Sequence, residues 1–259
     1  MTKPREAAER ALATHPILAG VTDDVRRLFI SEGEVATYEP GQLLSQEGEP
    51  SRFYWLLCSG SVRVFYASPQ GFEVTVKIFA APAAWAEMEL LTGHPHIEDC
   101  VAVDRCVVVR IGKTGFEGLL EQSPRFMRNV LDDTCARFLI AAQHERALAF
   151  LPVSRRLANL LLTYVRMYGV PVDGGLGIRV KLSQAELANG LGVARRSIAR
   201  TLTTWVREGL LRKAGTSYVV RDVNALAKLA DTDLVGIDWV AGTSLTESRT
   251  LGPRARRAR

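Results

Sequence analysis

The sequence predicts an α+β protein with an N-terminal antiparallel β-roll or jelly roll, a long helix and a C-terminal winged helix-turn-helix. Three observations support this fold class. Apolar and polar residues alternate in short runs between residues 34 and 111, which is the period of a strand. A broad apolar stripe at helical spacing runs through residues 123–150. Residues 182–206 then have the pattern of two short helices joined by a glycine turn.

The first 31 residues are expected to form helices that pack against the following strands. Their apolar side chains recur at partly helical spacing, and the Thr-Asp-Asp sequence at 22–24 is a suitable cap for a second short helix. The strand pattern that follows is clearest at 62–66 and 74–78, where valines alternate with other residues. Short strands separated by glycines at this spacing are typical of a compact antiparallel roll.

Residues 123–150 are predicted to be one helix whose apolar stripe is wider than a single contact requires. One edge would cover the roll and the other would meet the same helix of a second copy. Pro152 cannot continue the hydrogen-bond ladder, so the helix should end near Phe150, and a new helix should extend to Tyr168. The stripe consists of Met127, Val130, Leu131, Thr134, Cys135, Phe138, Leu139 and Ala142.

The helix-turn-helix begins with a capping box. Ser183 is a good N-cap, and Glu186 stands three residues later, where its side chain can bond back to the cap. Gly190 and Gly192 lie on either side of Leu191, and a glycine there permits the positive φ that a tight turn between helices demands.

The second helix of this motif, starting near Ala194, has one apolar and one basic face. Ile198, Leu202 and Trp205 fall within about 60° of one another on a helical wheel. An arginine row at the start of a second helix suits the major groove, because a guanidinium group can donate to O6 and N7 of guanine. The exposed face is predicted to carry Arg196, Arg200, Thr203 and Arg207.

A β-hairpin, the wing, is predicted after the second helix. Two short apolar runs flank a turn at 214–216, and Arg212 and Lys213 near its tip are expected to contact phosphate. Upstream, residues 169–177 are expected to be a loop that leads into a short strand at 178–182. A last small helix is expected from Asp222 to Ala230.

Composition is that of a globular protein with a basic balance. The 259 residues are 47% hydrophobic and carry a net charge of +5, which fits a polyanionic partner. No signal-peptide segment and no long uncharged window are present, so a cytoplasmic protein with no membrane partner is expected. The four cysteines, Cys58, Cys100, Cys106 and Cys135, lack metal-binding or disulfide spacing.

Five segments together resemble the CRP/FNR family of bacterial regulators. The segments 38–41, 46–49 and 53–64 are similar to the opening strands of its cyclic-nucleotide-binding fold, with aromatic and glycine positions in register. Residues 148–217 resemble the DNA-binding domain of the family, with its hinge at 148–158 and its helix-turn-helix at 182–206. The resemblance implies a homodimer that binds double-stranded DNA at a near-palindromic operator, with RNA polymerase as a further partner.

The resemblance also implies which residues contact DNA. The base-reading positions of the family correspond to Arg195, Arg196 and Arg200, with Ser197 on the backbone. Many members carry a glutamate where this chain has Arg196, so the operator is expected to differ there from the usual half-site of the family. Ser183, Gln184, Arg212 and Lys213 complete the expected DNA-contacting set.

The sequence does not identify the effector. Glu87 could bind a ribose hydroxyl, but the arginine that faces the phosphate in the family is missing, and Glu98 and Asp99 near its place would repel an anion. Cyclic AMP bound in the usual way is therefore not expected, whereas another nucleotide such as cyclic di-GMP, haem, another small molecule or no effector remain alternatives. The candidate effector pocket is Glu87, Met88, His96, Ala141 and Ala142, the last two standing where the family has adenine-contacting hydroxyls.

A second hypothesis comes from His94 and His96. Two histidines one residue apart in an extended segment would point the same way and could hold a metal or haem iron in a jelly-roll sensor or enzyme. The alternative is an exposed loop after Gly93. Glu98 follows His96 too closely for a metal cupin, and no catalytic constellation is recognisable, so a regulator rather than an enzyme is expected.

The predicted organisation is thus a sensor domain at 1–122, a dimerisation helix and hinge at 123–150, a DNA-binding domain at 151–230 and a basic tail at 231–259, expected to be disordered.

Overall fold

The computed structural model describes residues 2–71, 73–180, 182–215 and 217–230. The predicted basic tail at 231–259 lies outside the described residues. The described chain forms the three expected parts in the expected order, which confirms the α+β fold class.

The N-terminal segment is helical, as predicted, and closes one side of the roll. It consists of α1 (Thr2–Ala13), a 3-10 turn (Pro16–Leu18) and α2 (Asp23–Glu32). Thr22 caps α2 by accepting a hydrogen bond from the Val25 N–H, and Arg26 donates to the Leu12 carbonyl at the end of α1. Apolar side chains of this segment form one core cluster with strands and helices of the roll.

The roll consists of two four-stranded antiparallel sheets, as the alternating pattern predicted. Their strand orders are β1-β8-β3-β6 and β2-β7-β4-β5. The strands are β1 (Glu34–Tyr38), β2 (Leu43–Ser45), β3 (Phe53–Ser59), β4 (Ser61–Ala67), β5 (Glu73–Ala80), β6 (Ala83–Trp85), β7 (Asp99–Ala102) and β8 (Cys106–Gly112). Two helices complete the sensor, α3 (Glu87–Thr92) and α4 (Lys113–Gln122).

Aromatic rings fill part of the space between the two sheets. The rings of Trp55 and Trp85 are stacked with centroids 5.9 Å apart, and Phe79 stacks on Trp85 at 5.7 Å. All three side chains are buried among small and branched apolar residues. This stack is large and rigid, so it fixes the two sheets relative to each other.

The long helix α5 spans Pro124–Phe150 and is capped by Ser123, whose hydroxyl accepts a hydrogen bond from the Phe126 N–H. Phe126 and Val130 are buried against the sensor. On another face, large apolar side chains stay exposed in the protomer: Met127 (47%), Leu131 (55%), Phe138 (72%) and Leu139 (46%). The structure therefore divides the predicted stripe into a packed edge and an open edge.

The C-terminal part contains α6 (Val153–Tyr168), α7 (Gln184–Gly190), α8 (Arg195–Arg207) and α9 (Val223–Ala230). Its sheet has the order β11-β12-β10-β9, with strands β9 (Gly169–Val172), β10 (Gly175–Ile178), β11 (Leu211–Ala214) and β12 (Ser217–Val220).

One sequence prediction for this part was wrong. Residues 169–177 are not a loop, and the strand before α7 is not at 178–182. Instead β9 and β10 form a hairpin that pairs through β10 with β12 of the wing. Pro171 is tolerated because β9 lies at the edge of the sheet, where a missing N–H leaves no partner unsatisfied. The wing therefore belongs to a four-stranded sheet.

The cysteines form no disulfide. Burial raises the pKa of Cys58 and of Cys106 to about 11, and it also raises the pKa of Cys100. These three thiols are protonated at neutral pH and behave as apolar core groups. Among the described residues, no helix has both the length and the apolar character required to cross a membrane.

Candidate DNA-binding interface and effector region

The first helix of the motif, α7, starts with the predicted capping box. The Ser183 hydroxyl accepts a hydrogen bond from the Glu186 N–H at 3.1 Å, and the Glu186 carboxylate accepts one from the Ser183 N–H at 2.7 Å. Both bonds satisfy donors that a helix N-terminus otherwise leaves free. The side chain of Gln184 donates to the Tyr218 hydroxyl at 3.1 Å, which ties the start of α7 to the wing.

The two glycines of the turn have different functions. Gly192 has a φ of +62°, as predicted, and nothing lies within 4 Å of a methyl group placed on it. Its requirement for glycine is therefore conformational. Gly190 lacks a positive φ, which corrects the expectation for that position. A Cβ atom there would lie 3.3 Å from the Thr75 carbonyl, so Gly190 is small because α7 approaches strand β5 of the sensor closely.

Helix α8 has the two faces that the helical wheel predicts. Ile198, Leu202 and Trp205 are buried at 0%, 1% and 5% exposure and anchor the helix in the domain core. Each buried side chain of this size contributes roughly 1.5–3 kcal/mol of transfer free energy. The orientation of α8 is thus fixed by packing rather than by its polar face.

The opposite face of α8 presents an exposed basic surface. Arg195, Arg196, Ser197 and Arg200 are all exposed, and they lie in the first two turns. Within the described part of the chain, none of these three guanidinium groups has a hydrogen bond or ion pair to a protein group. Their donors are free to bind an external acceptor, and the helix N-terminus adds partial positive charge at the same end.

Within the part of the wing that the structure describes, Lys213 has no protein partner and Arg212 is already bound. Lys213 is exposed on β11, beside a turn in which Gly215 has a φ of +59°. Arg212 is half-buried and donates to the Asp173 carbonyl at 2.6 Å, which braces the β9–β10 turn. Lys213 is therefore the more accessible of the two residues that are predicted to contact phosphate.

Comparisons with known proteins agree with this arrangement. A family model for the cyclic nucleotide-binding domain matches residues 35–123, and one for the Crp-like helix-turn-helix domain matches residues 155–229. The CRP-like cAMP-activated global transcriptional regulator of Mycobacterium tuberculosis is 22% identical over 222 residues, covering 86% of this chain and 99% of that protein. The cyclic AMP receptor protein of Thermus thermophilus is 24% identical, with 83% and 96% covered.

The chain belongs to the CRP/FNR family. The fold agrees with that of FixK2 from Bradyrhizobium japonicum, with a TM-score of 0.68, 19% sequence identity, and 77% of this chain and 98% of that chain covered. The chain is a DNA-binding transcriptional regulator with an effector-binding type of sensor domain. The other hypothesis, a metal- or haem-binding jelly-roll protein, is not favoured by these matches.

In this CRP/FNR protein the predicted ribose ligand, Glu87, is bound by the long helix. Its carboxylate Oε1 accepts hydrogen bonds from Arg137 Nη2 at 2.6 Å and from the Thr134 hydroxyl at 3.0 Å. Arg137 Nε also donates to Asp133 at 2.9 Å. The second oxygen of Glu87, Oε2, is buried and has no hydrogen-bond partner among the described groups.

The remaining residues of the predicted effector pocket lie in different surroundings. Met88 is 45% exposed, Ala142 is exposed on α5, and His96 is buried at 7% exposure. Ala141 lines a cavity between the sensor and the DNA-binding domain. The two acidic residues that were expected to repel an anion have structural partners: Glu98 pairs with Lys77 at 3.3 Å, and Asp99 accepts from the Glu47 N–H.

The two histidines do not form a shared site. His94 is exposed and its Nδ1 lies 2.9 Å from the Pro95 carbonyl, whereas His96 is buried. The His96 backbone pairs with the carbonyl of Glu49 and the N–H of Gly48, which turns its side chain inward. The expectation that both rings point the same way was therefore wrong, and the loop is exposed only in part. The described residues contain no cluster of three metal-ligating side chains.

Sequence reasoning missed Asp133 and Arg137. These two residues are separated by one helical turn, and Arg137 lies one further turn before Ala141, which was identified. An Asp-Arg pair one turn apart, at the edge of the apolar stripe of α5 next to Val130, was the available signal, because charged residues are rarely buried without a partner. Only the fold brings them to Glu87, which is 50 residues away from Arg137.

Proposed function

We propose that this protein acts in the bacterial cytoplasm as a homodimer that reads a near-palindromic DNA operator with helix α8. The observation that carries this proposal is the exposed arginine face of α8, opposite an anchored apolar face. Among the described residues, Arg195, Arg196 and Arg200 have no protein partner for their donors, and they lie in the first two turns, where a recognition helix meets base edges. Arg196 and Arg200 are four residues apart and therefore project from the same side.

The open edge of α5 supports the homodimer. Leu131, Cys135, Phe138 and Ala142 are exposed and follow one another at spacings of four, three and four residues, which is the seam of a two-stranded helix pair. A contiguous exposed apolar stripe on one helix of a regulator marks an interaction surface. Two copies that pair through this stripe would present two recognition helices to half-sites about 10–10.5 base pairs apart.

We propose that this regulator does not bind cyclic AMP in the way that is usual in the family. The segment between His94 and Asp99 contains no basic side chain other than histidine, and its acidic groups are held by Lys77 and a backbone N–H. Glu87 is already paired with Arg137. We propose RNA polymerase as the protein partner, as the family membership implies.

The proposal is tested with gel shifts at one fixed salt concentration on an operator obtained by selection. Arg200→Ala is expected to weaken specific binding by about 1–3 kcal/mol, or about 5- to 150-fold, because a bidentate contact to a base is lost. Arg207→Ala is the matched control: it removes an exposed arginine from the last turn of the same helix and should have a small effect. Equal effects of both variants would refute the assignment of base reading to the first two turns of α8.

Lys213→Ala separates phosphate contact from base reading. The variant is expected to weaken all DNA sequences similarly and to lower the slope of log affinity against log salt by about 1. A loss confined to one base pair would contradict a phosphate contact by the wing.

A further inference from the structure

Two charged side chains near the end of α5 have no partner in their own protomer. Glu145 and Arg146 are both exposed, and within the described part of the chain neither makes a hydrogen bond or an ion pair to a protein group. The positions three and four residues away from each of them in α5 hold no side chain of opposite charge. The helix itself therefore offers neither residue an ion-pair partner.

The other aspartate, glutamate and arginine side chains of α5 differ from these two, because each is engaged within the protomer. The contacts are Arg125 with the Ala19 carbonyl, Arg128 with Asp132, and Arg137 with Asp133 and Glu87. Two opposite charges on one exposed face of this helix, both without a partner, point to a partner outside the protomer.

Glu145 and Arg146 lie on opposite edges of the exposed apolar stripe of α5. Leu131 and Ala149 are about five helical turns apart, so they mark one line along the helix. At about 100° per residue, Glu145 lies about 40° to one side of this line and Arg146 about 60° to the other side. The exposed residues between the two edges are Cys135, Phe138 and Ala142.

The symmetry of a helix pair decides whether the two edges meet. In a parallel pair around a two-fold axis, each edge of one stripe faces the opposite edge of the other stripe at the same level. Glu145 then faces Arg146 of the partner subunit, and the contact occurs twice. In an antiparallel pair each edge faces the same edge of the other stripe, so these two residues do not meet.

We propose that Glu145 and Arg146 form two reciprocal ion pairs between protomers, and that these pairs select the parallel orientation of the dimer. They rest on the proposed homodimer and add the side chains that determine its orientation. An apolar stripe alone fits both orientations, whereas complementary charges at its edges favour one of them. The pairs lie just before the hinge between α5 and α6, so they join the two chains where the DNA-binding domains begin.

The first test measures dissociation of the full-length dimer by sedimentation at low salt. Glu145→Arg and Arg146→Glu each replace two attractive contacts with repulsive ones, so each variant should dissociate roughly 10-fold more readily than the wild type. The double variant Glu145→Arg with Arg146→Glu restores opposite charges and should regain the wild-type affinity. Glu121→Arg changes an exposed glutamate of α4 and is the matched control, which should leave the dimer unchanged.

Mixing the two single variants gives the most specific measurement. The Glu145→Arg chain is positive at both positions and the Arg146→Glu chain is negative at both, so a parallel pair should form heterodimers in excess over either homodimer. A tag on one chain allows the heterodimer to be counted after purification. A random mixture of homodimers and heterodimers would overturn the ion pairs.

The outcomes distinguish the ion pairs from the homodimer itself. A wild-type chain that stays monomeric would refute the proposed homodimer and the pairs together. A wild-type dimer whose affinity does not change in either single variant would leave the homodimer standing and overturn the pairs. Single variants that dissociate, with no recovery in the double variant, would also overturn them. Circular dichroism checks that all variants fold, as expected for substitutions at exposed positions.

Discussion

Arg137 holds the buried carboxylate of Glu87 and the partly buried carboxylate of Asp133 together, and its removal should destabilise the sensor strongly. Its guanidinium is 2.6 Å from Glu87 and 2.9 Å from Asp133, and only 2% of the Glu87 side chain is exposed. Arg137→Met keeps the length and the apolar stem of the side chain but leaves both acids without their cation. Truncating one partner of a buried ion pair costs about 3–5 kcal/mol, because the remaining charge stays desolvated.

The pH dependence of this loss has a definite sign. Burial is the main cause that raises the pKa of Asp133 above its ordinary value, and Arg137 opposes this shift. Removing the guanidinium should raise the pKa of Asp133 further. The folded variant then binds more protons than the unfolded chain at mildly acidic pH, so its deficit in unfolding free energy should shrink as the pH falls from 7.

The assay is urea unfolding at pH 7 and at pH 5 in a Trp205→Phe background, followed by tryptophan fluorescence, so that the signal from the buried rings comes from Trp55 and Trp85 inside the roll. The double variant Arg137→Met with Glu87→Gln is the matched control. It removes the unpaired buried charge of Glu87, so it should recover part of the lost unfolding free energy. A loss of unfolding free energy below about 1 kcal/mol in Arg137→Met at pH 7 is the range of an exposed ion pair. Such a result would refute the claim that Glu87, Asp133 and Arg137 depend on one another in a desolvated cluster.

Two further predictions concern acid stability and assembly. Burial lowers the pKa of His15 from 6.5 to about 4. About 3 kcal/mol of stability that is present above pH 6.5 should therefore be lost as the pH falls to 4. His15→Asn retains an acceptor for the Ile17 N–H, and its unfolding free energy should change less than that of the wild type between urea titrations at pH 7 and pH 4.5. If the proposed dimer forms through α5, Phe138→Glu should convert it to monomers in sedimentation experiments, because a charge replaces an apolar side chain that is 72% exposed in the protomer and that the proposed interface would bury. Leu229→Glu on α9 should remain dimeric, and a dimeric Phe138→Glu would contradict the proposed α5 interface.

The parts predicted well from sequence are those whose signals are local. The capping box of Ser183 and Glu186 spans four residues, and the anchors Ile198, Leu202 and Trp205 lie on one helix. Both signals depend on backbone geometry that the short segment itself specifies. The strands of the roll also have a local signal, because apolar and polar residues alternate between the two faces of each strand.

The parts that were missed depend on contacts between distant segments. Residues 169–177 are rich in glycine and contain Pro171, so their composition indicates a loop, and only pairing with β12 makes them strands. Glu87 and Arg137 are brought together by the packing of α5 on the sensor. The interdomain cavity combines β5, α5, α6 and α7, and no single segment carries a signal for it.

The most direct test of the central claim is selection of DNA sequences from a random duplex library by the purified full-length protein. We expect enriched sequences with two inverted half-sites centred about 10–10.5 base pairs apart, each contacted by one α8 helix. Enrichment should be lost when Arg200→Ala is used in place of the wild-type protein. Selected sequences with a single half-site, or no enrichment at all, would contradict a dimer that reads DNA through α8.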